Sequence, residues 1–187
     1  MTATSSAQWP AEGRGPILET TVGSILREAA ADAGDRSAVV AWGFAPGERR
    51  TWTYATLLKD SERVARALLA RFEPGEHIAV YAPNVAEWLL LELGAGLAGL
   101  VLVTVNPAYK ARELEYVLRQ SRSAGLFHSE SFRGNPMARW VADVRPGLAG
   151  LREIVAFETW DRFLEATSPR RRAELEAEFL CHRIELA

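Results

Sequence analysis

The chain has 187 residues, 48% of them hydrophobic and 25% charged, and a formal net charge of -2. That length suffices for one domain with a sizeable core, and the near-neutral balance supplies no overall basic field for nucleic acid or an anionic membrane. A single cysteine, Cys181, excludes an internal disulfide framework and fits a reducing cytoplasm.

The opening MTATSSAQWPAEG has no apolar run of signal-peptide length, and residues 1–15 are expected to form a flexible tail. Thr20 or Thr21 then caps a helix that carries Val22, Ile25, Leu26 and Ala29 on one stripe. Gly34-Asp35 ends it. Ser37 to Trp42 and Arg50 to Thr53 read as two strands of a hairpin, with a turn at Pro46-Gly47. Thr53 caps a strongly amphipathic helix over about Tyr54 to Phe72, with Leu57, Leu58, Ser61, Ala65 and Leu68 on one face. Pro74-Gly75 terminates it.

The stretch from His77 to Leu118 organises the chain. It runs from a short apolar strand (Ile78–Tyr81) through a turn at Pro83-Asn84 into an apolar helix beginning near Trp88. A β-branched strand to Val105 follows, and then a helix with Leu114, Val117 and Leu118 on one face. Shorter strands are expected at Leu126–His128 and Glu153–Phe157, with a helix between them marked by Met137, Trp140, Val141 and Val144. Strand and helix in alternation predict an α/β fold: an incomplete doubly wound, mainly parallel sheet with crossover helices.

Trp88 to Val105 approaches the length of a membrane-spanning helix. Glu92 interrupts it, at a cost of roughly 2–3 kcal/mol near a bilayer centre. Gly94, Gly96 and Gly99 break it, and its second half is β-branched at alternate positions. A buried helix running into a buried strand accounts for the pattern.

Gly94-Ala95-Gly96-Leu97-Ala98-Gly99 matches G-x-G-x-x-G, which in a dinucleotide fold cradles a pyrophosphate between a strand and the following helix. Here the helix precedes the glycines and the strand follows, so the glycines read as close packing. The three histidines, His77, His128 and His182, are far apart, and adjacent Cys181-His182 alone does not chelate zinc. His128-Ser129 pairs a base with a hydroxyl by name only, since strand neighbours point to opposite faces. Arg170, Arg171 and Arg172, followed by Glu174, Glu176 and Glu178, read as a solvated helical face.

The blocks TYATL, YAPNVAEW, the glycine-rich apolar helix and NPAYKARELEYVLRQS together resemble the N-terminal part of an AMP-forming acyl-CoA synthetase, of the adenylate-forming enzymes. The fatty-acyl-CoA ligase branch is the nearest, and WDRFLEA suits it. The resemblance covers Ile17 to Leu164, and its most specific part is NPAY…ELEYVL. It implies three regions: a tail at 1–15, the N-terminal part of an AMP-binding domain at 16–166, and a charged helical or frayed tail at 167–187.

Members of that family convert a carboxylic acid and Mg-ATP to an acyl-adenylate, which coenzyme A then attacks. The resemblance therefore implies ATP, Mg²⁺ and coenzyme A for the full-length family. The family's phosphate loop ending in Pro-Lys-Gly, its Tyr-Gly-x-Thr-Glu motif, its ribose-binding aspartate and its C-terminal lysine do not occur in the sequence. The only lysines are Lys59 and Lys110, and neither follows a glycine-rich loop. No catalytic residue and no metal ligand is carried over, and the expectation is a truncated family member that binds none of these cofactors and is inactive alone. One contact is implied: Arg133, in Ser131-Phe132-Arg133-Gly134, near the coenzyme A nucleotide. The other readings are a non-enzymatic remnant that acts as an interaction module or self-associates through exposed core surface, and a dinucleotide-binding oxidoreductase. A cytoplasmic location is expected.

Overall fold

The structure, a computed structural model, describes residues 19–42, 47 and 49–165. The tails expected at 1–15 and 167–187, Cys181-His182 and the Arg170–Arg172 cluster lie outside the described residues, as does Pro46 of the expected hairpin turn.

The alternating apolar pattern resolves into α1 (Val22–Ala33), β1 (Ser37–Trp42), β2 (Arg49–Thr53), α2 (Tyr54–Leu69), β3 (His77–Tyr81), α3 (Ala86–Leu97) and β4 (Val101–Val105). These are followed by α4 (Ala111–Ser121), β5 (Gly125–His128), α5 (Met137–Val144), β6 (Glu153–Ala156) and α6 (Trp160–Glu165). β1 and β2 form an antiparallel pair. The other strands make a fully parallel sheet in the order β4-β3-β5-β6. Val80 stands beside Thr104 on one side and Phe127 on the other.

The parallel sheet is covered on both faces, as its crossovers require. On one face, Ile78, Val80, Phe127 and Val155 pack against Leu68, Phe72, Leu90 and Leu91 of the α2–α3 layer. The aromatics Phe157, Trp160 and Phe163 close that layer, with Phe163 edge-on to Phe127 at 5.2 Å. On the other face, Ala79, Tyr81 and Leu126 meet Leu114 and Leu118 of α4 and Met137, Val141 and Val144 of α5.

Local chemistry sets the element ends. Thr53 accepts from the Thr56 amide at 3.2 Å, and the Thr56 hydroxyl accepts from the Thr53 amide at 2.8 Å, a reciprocal cap that starts α2. Thr21, rather than Thr20, caps α1 through the Ser24 amide at 3.1 Å. α3 ends in a Schellman closure: Gly99 is left-handed at φ 67°, and the Leu100 amide donates back to the Ala95 carbonyl at 2.9 Å. Leu100 is therefore spent on the cap, and β4 begins at Val101. Gly94 lies one turn inside the helix, where an added Cβ would stand 2.5 Å from Val64 Cγ1. The GAGLAG motif is thus a contact surface for α2 followed by a helix stop, in agreement with the packing reading.

Three sequence expectations need correction. α2 stops at Leu69; Phe72 is buried, but beyond the helix. β6 stops at Ala156, because Phe157 opens a 3₁₀ turn leading into α6. The apolar stripe of α1 is only partly used: Leu26 and Gly23 face the core, whereas Val22 and Ile25 remain 54% and 51% exposed. α1 leans on α3 at Gly23, whose missing side chain would meet Leu97 at 2.9 Å. That contact turns the two β-branched residues outward.

Candidate functional site

In an open parallel sheet, ligands bind beyond the carboxyl ends of the strands, where successive crossovers leave in opposite directions. β3 is that point here. From β3 the chain crosses one face through α3 to reach β4, then crosses the other face through α4 to reach β5 on the opposite side. The loops after β3, β4 and β5 consequently meet on one rim.

Asn106-Pro107 follows the end of β4 at Val105. The Asn106 side-chain oxygen accepts from the Ala108 amide at 2.9 Å, an Asx turn that aims the loop across the rim. Tyr81, fully buried at the end of β3, donates its hydroxyl to the Tyr109 carbonyl. Tyr109 thus serves the rim through its backbone carbonyl, while its side chain is exposed. Burial raises the Tyr81 phenol above its ordinary pKa, while the hydrogen bond donated by Asn135 works the other way.

The segment after β5 makes a tight two-residue turn. The Phe132 amide donates to the Asn135 carbonyl at 3.0 Å, and the Asn135 amide returns the bond at 2.8 Å. Arg133 and Gly134 occupy the corner with φ 48° and 79°, so both central residues are left-handed, the signature of a type I′ turn. A left-handed conformation costs roughly 1–2 kcal/mol for a residue with a Cβ, and Arg133 is held in it. Its guanidinium is exposed and stands over the Phe132 ring at 5.1 Å.

Asn135 joins the two loops. Its Nδ2 lies 2.8 Å from the Pro107 carbonyl, 3.0 Å from the Tyr109 carbonyl and 3.1 Å from the Tyr81 hydroxyl. Its Oδ1 accepts from the Trp140 indole N–H at 2.6 Å. The orientation of the amide is fixed chemically, because an indole N–H can only donate and a carbonyl can only accept. Sequence reasoning missed Asn135 and the buried Tyr81 hydroxyl; the only hint was an Asn-Pro step after Arg133-Gly134.

The remaining candidates separate. His128 Nδ1 pairs with the Ser129 backbone carbonyl at 3.0 Å, not with the hydroxyl, so the two do not form a base and nucleophile. Burial holds the His128 imidazole below its usual pKa. Ser129 Oγ is buried without a partner. His77 Nδ1 lies 2.6 Å from the Ser121 carbonyl, in a structural role. Lys59 and Lys110 are exposed. Among the described residues no three His, Cys, Asp or Glu side chains converge to hold a metal ion, and no helix is long and apolar enough to cross a membrane.

Away from the rim, Arg50 of β2 pairs with Glu87 in the first turn of α3, whose side chain is 6% exposed. Arg50 also lies over the Trp52 ring at 4.7 Å, and Trp52 donates to Asp60 at 2.8 Å. This network ties the β1–β2 pair to the α2–α3 layer.

A family model described as AMP-binding enzyme matches residues 26–177. YngI of Bacillus subtilis (strain 168), whose name places it provisionally among acyl-CoA synthetases, is 35% identical over 133 residues, covering 71% of this chain and 24% of its own length. The mitochondrial medium-chain acyl-CoA ligase ACSF2 of Mus musculus is 34% identical over 118 residues, covering 63% of this chain and 18% of its own. The chain therefore spans less than a quarter of the length of these relatives. Among solved structures, the N-terminal domain of FACL13 from Mycobacterium tuberculosis superposes with a TM-score of 0.69 at 22% identity, over 80% of this chain and 37% of that one. That likeness fixes the fold: a parallel sheet with crossover helices.

Proposed function

Because the chain belongs to the AMP-binding enzyme family, we propose that it supplies the N-terminal part of the AMP-binding domain of a cytoplasmic acyl-CoA synthetase. The reaction of the whole enzyme is ATP-dependent activation of a carboxylic acid, in the first place a fatty acid, to an acyl-adenylate, followed by transfer of the acyl group to coenzyme A. The single observation that carries this reading is the family match across residues 26–177. Acyl activation needs donors aimed at the ATP phosphates and a cation on the transferring charge. The described side chains do not converge on a metal ion, so no step through Mg²⁺ is assigned to them.

On this reading the 187 residues alone do not catalyse, and the contact they contribute is Arg133, its guanidinium set against the phosphates of the coenzyme A nucleotide. The support is its exposure at the tip of a left-handed turn over the rim. The test is ATP–pyrophosphate exchange by the purified chain with acetate, medium-chain and long-chain acids. Background exchange is expected; exchange that survives repurification overturns the claim of inactivity. The Arg133 contact departs from the expectation that the chain alone binds none of the family's cofactors: on it, coenzyme A titrated by calorimetry should bind, and Arg133→Ala should weaken that binding about tenfold, the value of one charge-assisted hydrogen bond. A second reading, self-association, is favoured by the exposure of Val22, Ile25 and Trp42, the last 74% exposed. Sedimentation velocity over a concentration series checks it: a single monomeric boundary at all concentrations refutes it.

A further inference from the structure

The rim holds two loops that do not belong to one element, and among the described residues the Asn135 side chain hydrogen-bonds from one to the other. Asn135 lies directly after the Arg133-Gly134 corner and donates to carbonyls of the loop that follows β4. Its only acceptor atom is occupied by the Trp140 indole. Every polar atom of the amide is therefore used, and its donors point away from the turn on which it sits. The turn's own two backbone bonds close it, and the side chain, anchored outside the turn, holds that closed form against opening. What it fixes is the location of the turn relative to the end of β4.

We infer that Asn135 is a positioning residue: its amide locks the turn after β5 to the loop after β4 and thereby sets where the Arg133 guanidinium stands over the rim. The inference rests on the reading of Arg133 as the contact to coenzyme A, and goes beyond it by naming the residue through which that contact depends on the rest of the fold.

Asn135→Asp separates the parts of the arrangement. The carboxylate keeps an oxygen for Trp140 and nearly the same volume, but it turns a donor into a second anionic oxygen facing the Pro107 and Tyr109 carbonyls. The corner residues Arg133 and Gly134 are untouched. Coenzyme A is titrated by calorimetry into the full chain, its Arg133→Ala variant, its Asn135→Asp variant and the double variant. Asn135→Asp should weaken binding at least fivefold, and the double variant should bind no worse than Arg133→Ala alone, since both changes remove one contact. Additive losses, or wild-type affinity in Asn135→Asp, would overturn the inference, because a general structural lesion does not cancel when Arg133 is already absent.

A readout that needs no ligand accompanies this. In nitrogen-edited NMR spectra of Asn135→Asp, the Trp140 indole N–H should keep its shift while the Phe132 and Asn135 amides exchange at least tenfold faster. Unchanged exchange refutes the lock. If the wild-type chain does not bind coenzyme A, the reading of Arg133 fails, and amide exchange alone decides whether Asn135 holds the turn. Should Asn135→Asp not fold, Tyr81→Phe, which removes one acceptor and keeps the ring, is expected to shift exchange and affinity in the same direction, and no shift in either counts against the inference.

Discussion

Substituting alanine at Gly94 and at Gly96 makes the same chemical change two residues apart in one helix, with opposite expected signs. A Cβ at Gly94 would stand 2.5 Å from Val64 Cγ1, 2.7 Å from Val64 Cβ and 3.2 Å from the Ala65 amide nitrogen. Val64 is fully buried and β-branched, so it can neither rotate away nor reach solvent; α3 must lift off α2. Overpacking of this kind costs about 1–3 kcal/mol, and replacing a mid-helix glycine returns about 1 kcal/mol. An approach of 2.5 Å to a fully buried side chain belongs in the upper part of that range, about 2–3 kcal/mol, so the net for Gly94→Ala is a loss of about 1–2 kcal/mol. At Gly96 the nearest atoms are Val22 Cβ and Cγ1 at 3.4 Å, and Val22 is more than half exposed and free to yield. Gly96→Ala should therefore gain about 0.5–1 kcal/mol. For a chain of this size the melting temperature moves about 2–4 °C per kcal/mol, so the two variants should melt on either side of the wild type. Thermal and urea unfolding followed by circular dichroism measures both. A Gly94→Ala protein as stable as the wild type would show that the helix contact is not tight, and would sink the packing account of the glycine motif.

Arg50→Met leaves the Glu87 carboxylate buried without its partner and should cost about 2–3 kcal/mol, discounted from a fully buried pair because Arg50 is about a third exposed; urea midpoints check it, with Glu87→Gln expected to cost less. His128 has a folded pKa below its unfolded value, so the unfolded chain takes up the proton first. The corresponding stability is present above about pH 6.5 and falls as pH drops through that value toward the folded pKa. Urea midpoints from about pH 8 to 5.5 should show the fall, and His128→Gln should flatten it. Arg122 occupies the left-handed position that ends α4, at φ 52°, and Arg122→Gly should raise stability by about 0.5–1 kcal/mol in the same assay.

The sheet was legible because its signal is redundant. Each parallel strand is a short apolar run bounded by a turn residue, and each crossover helix carries its own stripe. β3 and β4 pair in parallel as the alternation implied, and Thr53 caps α2 as its place before the stripe implied. The failures came where tertiary contact overrode local pattern. Val22 and Ile25 belong to a sound stripe, yet α1 turns them outward because it rests on Gly23. The rim was less legible still. Asn106-Pro107 and Arg133 stand out by composition, whereas Asn135 acts through partners at Tyr81, Pro107 and Tyr109, and no periodicity links residues that far apart. Tyr81 reads as an ordinary core aromatic until its hydroxyl is seen at the strand end.

β3 is the first strand of its sheet in sequence and an interior strand in space. Both βα crossovers that follow return to it: β4 joins one side and β5 the other. A nascent chain can therefore lay down this sheet in the order it is synthesised, each new strand finding a finished neighbour. Synthesis that stalls beyond Val105 leaves a closed β3–α3–β4 unit with one side still open to β5. Damage is correspondingly asymmetric. Loss of β6 trims a border, whereas a residue that prevents β3 from pairing divides the sheet between β4 and the β5–β6 pair and leaves the rim without the strand that both of its loops surround.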